Sequence, residues 1–174
     1  MSRNTHSDTA LHLAAMNGHV DIVQFFISDR KCDPIIPGQY GRTPLHYAAE
    51  FGHLHIVNCL TDEQHCNPSC LDDLNKTPLH LAAKKGHMDI AKFLTVEKHC
   101  DPEFRDSNKD TPLHIAAANG RTDIVKFLIL EMHCKPTSRN ADNCTALHVA
   151  VVNGHLDIVQ FFICDQNCHP NSPG

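Results

Sequence analysis

Polar and apolar residues along this chain form a pattern that returns every 34 residues and occurs five times. Each copy opens with a short apolar stripe, as in Leu45, Tyr47 and Ala48-Ala49, spaced like one face of a helix about two turns long. A glycine ends the stripe at Gly18, Gly52, Gly86, Gly120 and Gly154, where a left-handed residue can close a helix without a Cβ clash. A second stripe then begins with an acid and two aliphatics. Asp21-Ile22-Val23, Asp89-Ile90-Ala91, Asp123-Ile124-Val125 and Asp157-Ile158-Val159 carry it, with His55-Ile56-Val57 in the second copy. Ile124, Val125 and Leu128 share one helical face, and the acid suits the positive end of the helix dipole. Helices of under ~12 residues are marginal alone, so neighbouring copies must cover their apolar faces. The pattern predicts an all-α repeat solenoid of stacked helix-turn-helix units. It forms a single domain over residues 1–174, with units at about 4–37, 38–71, 72–105, 106–139 and 140–174.

The junctions carry further signals. Thr-Pro/Ala-Leu-His starts each first helix, opening at Thr9, Thr43, Thr77, Thr111 and Thr145; a threonine hydroxyl caps a helix, and proline at the first position lacks only an amide that would go unpaired anyway. Two residues before the threonine stand Gly41, Asn75 and Asn143, which tolerate positive φ and predict a tight hairpin or turn at the tip. Lys109 holds that place in the fourth unit and weakens the turn expected there.

The tip, Thr-Pro-Leu-His, the paired alanine, Gly-His and the second aliphatic helix together resemble the ankyrin repeat over residues 4 to 171. The resemblance implies an L-shaped unit stacked into a curved slab whose concave side binds other proteins. The period exceeds the family's ~33 by one, and Glu97-Lys98-His99 and Glu131-Met132-His133 stand where glycine is common. The second helix is therefore expected to run one residue longer. Asp157 to Ile163 is as apolar as Asp21 to Ile27, whereas terminal units often turn a polar face outward; this points to a segment of a longer array.

Charge and composition narrow the partners. A net charge of −5 and a pI near 6.3 provide no positive field for phosphate backbones or anionic lipid, so neither nucleic acid nor membrane is expected. Apolar runs such as Val149 to Val152 fall far short of the ~18 residues of a span, and no secretory signal opens the chain. The expected location is cytoplasmic, with reduced thiols. Phosphate-loop, dinucleotide, nucleophile-elbow and zinc-protease motifs are absent from the sequence, so neither enzyme activity nor a cofactor is expected.

Nine cysteines and fifteen histidines nevertheless raise disulfides and zinc as possibilities. Cys32, Cys66, Cys100, Cys134 and Cys168 occupy one register, and stacked units should hold them ~8–10 Å apart, beyond the ~7 Å limit of a disulfide. They read as small buried hydrophobes. The remaining clusters, His65-Cys66 with Cys70 and Cys164 with Cys168-His169, lack paired zinc-finger spacing. Cys59 replaces a core phenylalanine, and Cys144, at a tip, is expected to be the most exposed thiol. His12, His46, His80, His114 and His148 recur once per unit, as do His19, His53, His87 and His155 in four of them. The family resemblance implies hydrogen bonds from both sets to neighbouring loop backbone. Asn75-Lys76-Thr77 and Asn143-Cys144-Thr145 match the glycosylation sequon, but turn register accounts for both.

With the repeated framework subtracted, the variable residues are left to carry binding. The family binds through its tips and the exposed end of the first helix. By register these hold Tyr40, Arg42, Phe51, Leu74, Lys76, Lys84, Lys85, Asn108 and Asp110. Tyr40 and Leu74 with Phe51 nearby would form an apolar patch flanked by Arg42, Lys76, Lys84 and Lys85, suited to a protein with an apolar anchor beside acidic groups. The expected function is a non-enzymatic protein-interaction module, as a monomer or part of a longer array. The rivals are a spacer segment with no ligand of its own and a metal protein.

Overall fold

The computed structural model describes residues 3–5, 7–166 and 168. Five helix pairs follow one another: α1 (Ala10–Met16) with α2 (Val20–Gln24), α3 (Pro44–Phe51) with α4 (Leu54–Asn58), α5 (Pro78–Lys85) with α6 (Met88–Lys92), α7 (Pro112–Ala118) with α8 (Thr122–Leu130), and α9 (Ala146–Val152) with α10 (Leu156–Gln160). First helices pack in chain order, α1 on α3, α3 on α5, α5 on α7 and α7 on α9. The paired alanines lie in these contacts: Ala15, Ala49, Ala83 and Ala117 are fully buried, because a methyl lets the next helix come close. Ile56, Ile90, Ile124 and Ile158 join the same continuous core from the second helices. Among the described residues no strand forms, and Arg3 and Thr9 make an isolated bridge. The tips are turns rather than hairpins of paired strands. None of these helices is long and apolar enough to cross a membrane.

The extra residue of the 34-residue period lies where the second helix ends. In four units that helix widens into a π turn, Phe25–Asp29, Cys59–Glu63, Phe93–Glu97 and Phe161–Asp165. Bonds such as Lys98 N–H to Phe93 O, 3.1 Å, span one more residue than an α turn. The helix does run on, but by expanding its last turn. Lys31, His65 and His99 after the first three of these turns, and His133 after α8, take left-handed φ of 53 to 55°. Each directs the following cysteine N–H back onto the helix, as in Cys66 N to Leu60 O, 2.9 Å. This is the closure glycine usually makes.

The tetrad histidine completes the helix start. Its Nδ1 accepts the threonine N–H, at 3.1 Å for His12 and 3.2 Å for His46 and His80, with the threonine hydroxyl 2.8 to 3.0 Å away. Among these caps, a threonine-hydroxyl bond to a helical N–H is present at Thr77, from His80 N at 3.4 Å. The pair, rather than the hydroxyl expected alone, closes the turn.

Candidate functional site

The tips form a continuous row. Tyr40 O accepts from Asp73 N at 2.9 Å, Leu74 O from Ser107 N at 2.9 Å, and Asn108 O from Ala141 N at 2.8 Å, so the same tip position in successive units is joined by backbone bonds. The third, fourth and fifth tips are also braced from within. Asp72 Oδ1 accepts from Leu74 N and Lys76 N at 2.9 and 2.8 Å, and Asp106 Oδ1 from Asn108 N and Asp110 N, both at 2.9 Å. Asn140 Oδ1 does the same for Asp142 N and Cys144 N, at 3.1 and 3.0 Å. Ser7, Gly41, Asn75, Lys109 and Asn143 all have positive φ. Lys109 therefore keeps the turn its side chain was expected to weaken, because the Asp106 carboxylate holds the backbone on either side of it.

These bracing residues escaped sequence reasoning, although their signal was present. Asn4, Asp72, Asp106 and Asn140 each stand five residues before the capping threonine, the spacing of an Asx turn. Gly38 occupies that place in the second unit. There Asp8 reaches across from the first unit and accepts from Gln39 N and from the buried Tyr47 hydroxyl, both at 3.0 Å. A Cβ on Gly38 would lie 2.3 Å from that carboxylate oxygen. Burial and Asp8 together push the Tyr47 hydroxyl pKa well upward.

The predicted site residues divide into two groups. Tyr40 and Leu74 are 61% and 52% exposed on adjacent tips, and Lys85 and Asn108 are exposed as well. Phe51 is also exposed, but it ends α3 while Tyr40 precedes that helix. Some ~10 Å of helix axis separates its end from the tip, so the expected single patch becomes a tip row and a separate helix-end surface. Arg42 and Lys76 are not free cations. Arg42 donates to Glu50 Oε2 at 2.6 Å and faces Asp72 Oδ2 at 3.5 Å, and Lys76 pairs with Asp106 of the next tip. Glu50, Asp72 and Asp106 are buried, so burial favours these pairs over exposure to a partner. Asp110 accepts from Asn140 Nδ2 at 2.8 Å. The cationic flank thus reduces to Lys84, 4.0 Å from Glu50, and Lys85.

Both histidine series bond across unit boundaries. Nε2 of His12, His46, His80 and His114 meets the backbone O of Arg42, Lys76, Asp110 and Cys144 at 3.1 to 3.2 Å. A carbonyl can only accept, so Nε2 carries a proton; Nδ1 accepts the threonine N–H and carries none, so the ring is neutral. Burial lowers the pKa of all four. In the second series, Nε2 of His53, His87 and His155 donates to Met16 O, Glu50 O and Ala118 O at 2.9 to 3.1 Å. Arg121 Nε takes the equivalent place on Lys84 O at 3.1 Å. The acceptors in this series are carbonyls at the end of the first helix.

The thiols are all free. Cys59, Cys66, Cys100 and Cys134 are buried; of the five in one register, Cys32 and Cys168, in the first and last units, are only half-buried, against the expectation for that register. Burial raises the pKa of the four buried thiols, to about 11 for Cys66 and about 12 for Cys134. The exposed thiol is Cys164, not Cys144; Cys144 is half-buried with its Sγ 3.6 Å from Asp142 O. Cys70 faces the hydroxyl of Thr43 at 3.6 Å and His46 Nδ1 at 3.7 Å. Among the described residues no three His, Cys, Asp or Glu side chains gather as metal ligands would, and His169 lies outside them.

A family model described as ankyrin repeats (3 copies) matches residues 1–72, 48–140 and 79–173, together nearly the whole chain. No curated protein matches it.

Proposed function

The chain belongs to the ankyrin-repeat family, whose repeats are in general protein–protein interaction modules, and we propose that it is a non-enzymatic module that binds a partner protein along its tip row. The observation that supports this most strongly is the pair Tyr40 and Leu74. Both are large, apolar and more than half exposed, while their carbonyls fix them to the following tips. A side chain with no part in the framework, held on a braced backbone, loses little conformational entropy on docking.

Tyr40, Leu74 and Asn108 are the proposed tip contacts, with Phe51, Lys84 and Lys85 extending them along the first-helix ends. Arg42, Lys76 and Asp110 act beneath them by fixing each tip to the next. The partner accordingly offers an apolar anchor to the tips, with any acidic group placed toward Lys84 and Lys85. A cytoplasmic setting suits the buried thiols of Cys59, Cys66, Cys100 and Cys134, which reducing conditions keep reduced.

A Tyr40→Ser/Leu74→Ser double variant tests the proposal. It should retain the parent's circular dichroism and melting temperature but lose at least ~10-fold in affinity for a protein captured from lysate by the parent, as removal of two interface anchors requires. Undiminished capture by the folded variant would leave the chain as a spacer within a repeat array.

A further inference from the structure

The junctions between units repeat one framework bond, and one junction makes it with a different side chain. His53, His87 and His155 reach back over Gly18, Gly52 and Gly120 and donate Nε2–H to a carbonyl at the end of the preceding first helix. Between the third and fourth units Arg121 does this instead. Its stem lies over Gly86, with Cδ 3.0 Å from where a Cβ would stand, and its Nε donates to Lys84 O at 3.1 Å. Nε alone therefore meets the need of the framework. The terminal N–H groups and the permanent charge are surplus to it, since a neutral imidazole supplies neither.

Arg121 and Lys85 line a cleft of about 310 Å³ that runs over Gly86 and Gly120 between the two units. Both side chains are exposed, and among the described residues neither forms an ion pair. Asp123 also lines the cleft. It is the acid that opens four of the five second helices, where it answers the helix dipole, and it leaves two cations against one carboxylate. The next cleft along, about 210 Å³ between the fourth and fifth units, is lined by Gly120, Thr122, Gly154, His155, Leu156 and Asp157 and holds no lysine or arginine. At the register of Lys85 and Arg121 the other junctions carry Asn17 with His53, Phe51 with His87 and Asn119 with His155. The paired cations are thus particular to this junction. A guanidinium whose stem is packed and whose Nε is already bonded has given up much of its rotamer freedom before any ligand arrives, so docking costs it little.

We propose that this cleft receives an acidic side chain of the partner protein, its carboxylate held by the terminal N–H groups of Arg121 and by Lys85 Nζ. The proposal rests on the reading of the array as a protein-binding module and adds to it the residue that recognises the acid. A net charge of −5 repels an extended polyanion such as nucleic acid. A single carboxylate meets the guanidinium at short range and with two donors, where that repulsion counts least.

Amide chemical shifts of the full chain, followed as acetyl-Gly-Glu-Glu-Gly-amide is added, test the proposal against the neutral Gln-Gln counterpart. The acidic peptide should shift the amides around Gly86, Gly120 and Arg121. It should bind at least ~10-fold more tightly than the neutral one, by a margin that shrinks as salt rises. Arg121→His installs the residue that other junctions use, keeps the framework bond and should lose ~10-fold in affinity for the acidic peptide. His155→Arg with Asn119→Lys rebuilds the cation pair one junction along and should create a second site around Gly120 and Gly154. Tyr40→Ser/Leu74→Ser should bind the peptide as the parent does, so failure of the tip contacts and failure of this cleft are read separately. Equal affinity for the two peptides, shifts centred elsewhere, or binding unchanged in folded Arg121→His would overturn the proposal. So would a folded rebuilt variant that gains no site, or an oligothymidylate that displaces the acidic peptide at lower concentration than the peptide itself requires.

Discussion

Acidification should unfold this protein well before its carboxylates protonate, and the four inter-unit histidines set the magnitude. His12, His46, His80 and His114 are neutral, with Nε2–H donated to the next unit and Nδ1 accepting a threonine N–H. A proton added to Nδ1 would point one N–H at another, and it would place a charge where burial has already lowered each pKa below the ordinary 6.5. The unfolded chain binds that proton near pH 6.5 and the native chain binds it only at lower pH. Below about 6.5 the unfolded state therefore holds more protons, and stability falls as pH falls until the native rings titrate. Each ring contributes up to ~1.4 kcal/mol per pH unit, so the four approach ~5 kcal/mol per unit in the steepest part. Urea unfolding monitored by circular dichroism between pH ~7.5 and ~5 measures that slope. His80→Gln should lower stability at neutral pH by ~1–3 kcal/mol through the bonds it breaks and should remove up to ~1.4 kcal/mol per unit from the slope. A profile flat from neutrality to pH ~5, or stability that rises on acidification, would refute the assigned ring states.

Other perturbations separate the remaining forces. Gly52→Ala forces a Cβ at φ 84° and 2.6 Å from His87, whereas among the described residues Gly154→Ala meets only its positive φ. Urea denaturation should show a loss of ~2–5 kcal/mol for the former and ~1–2 for the latter. His99→Gly relieves an exposed left-handed residue and should raise the melting temperature, by ~0.5–1 kcal/mol of stability after the added freedom of the unfolded chain is subtracted. Thiol labelling of the native protein should modify Cys164 first and leave Cys59, Cys66, Cys100 and Cys134 unmodified until unfolding, as burial and raised pKa require.

The sequence displays what is repeated. Five threonines, five glycines and the paired alanines mark helix starts, ends and close approaches, and the structure places them there because each role needs a particular side-chain size or backbone freedom. Less visible were features set by distant neighbours. Asp8 braces a tip in another unit, and only the Gly38 vacancy explains why. Arg42 and Lys76 resemble free surface cations in sequence, yet they pair with Glu50, Asp72 and Asp106. Register indicates that a residue lies at a tip but not which carboxylate the next unit sends toward it. The π turns were legible only as one surplus residue, because period counting does not reveal how a helix takes up an insertion. Phe51 is exposed as expected, but residue spacing alone did not show that a helix length divides it from Tyr40.

Site-specific photocrosslinking tests the account most directly. A photoreactive phenylalanine analogue at Leu74, on the tip row, is compared with the same analogue at Leu130, an exposed position at the end of α8. Both are introduced into the full chain and incubated with a captured partner protein. Adducts from position 74 and none from position 130 are predicted. Adducts from position 130 alone would contradict partner binding along the tips.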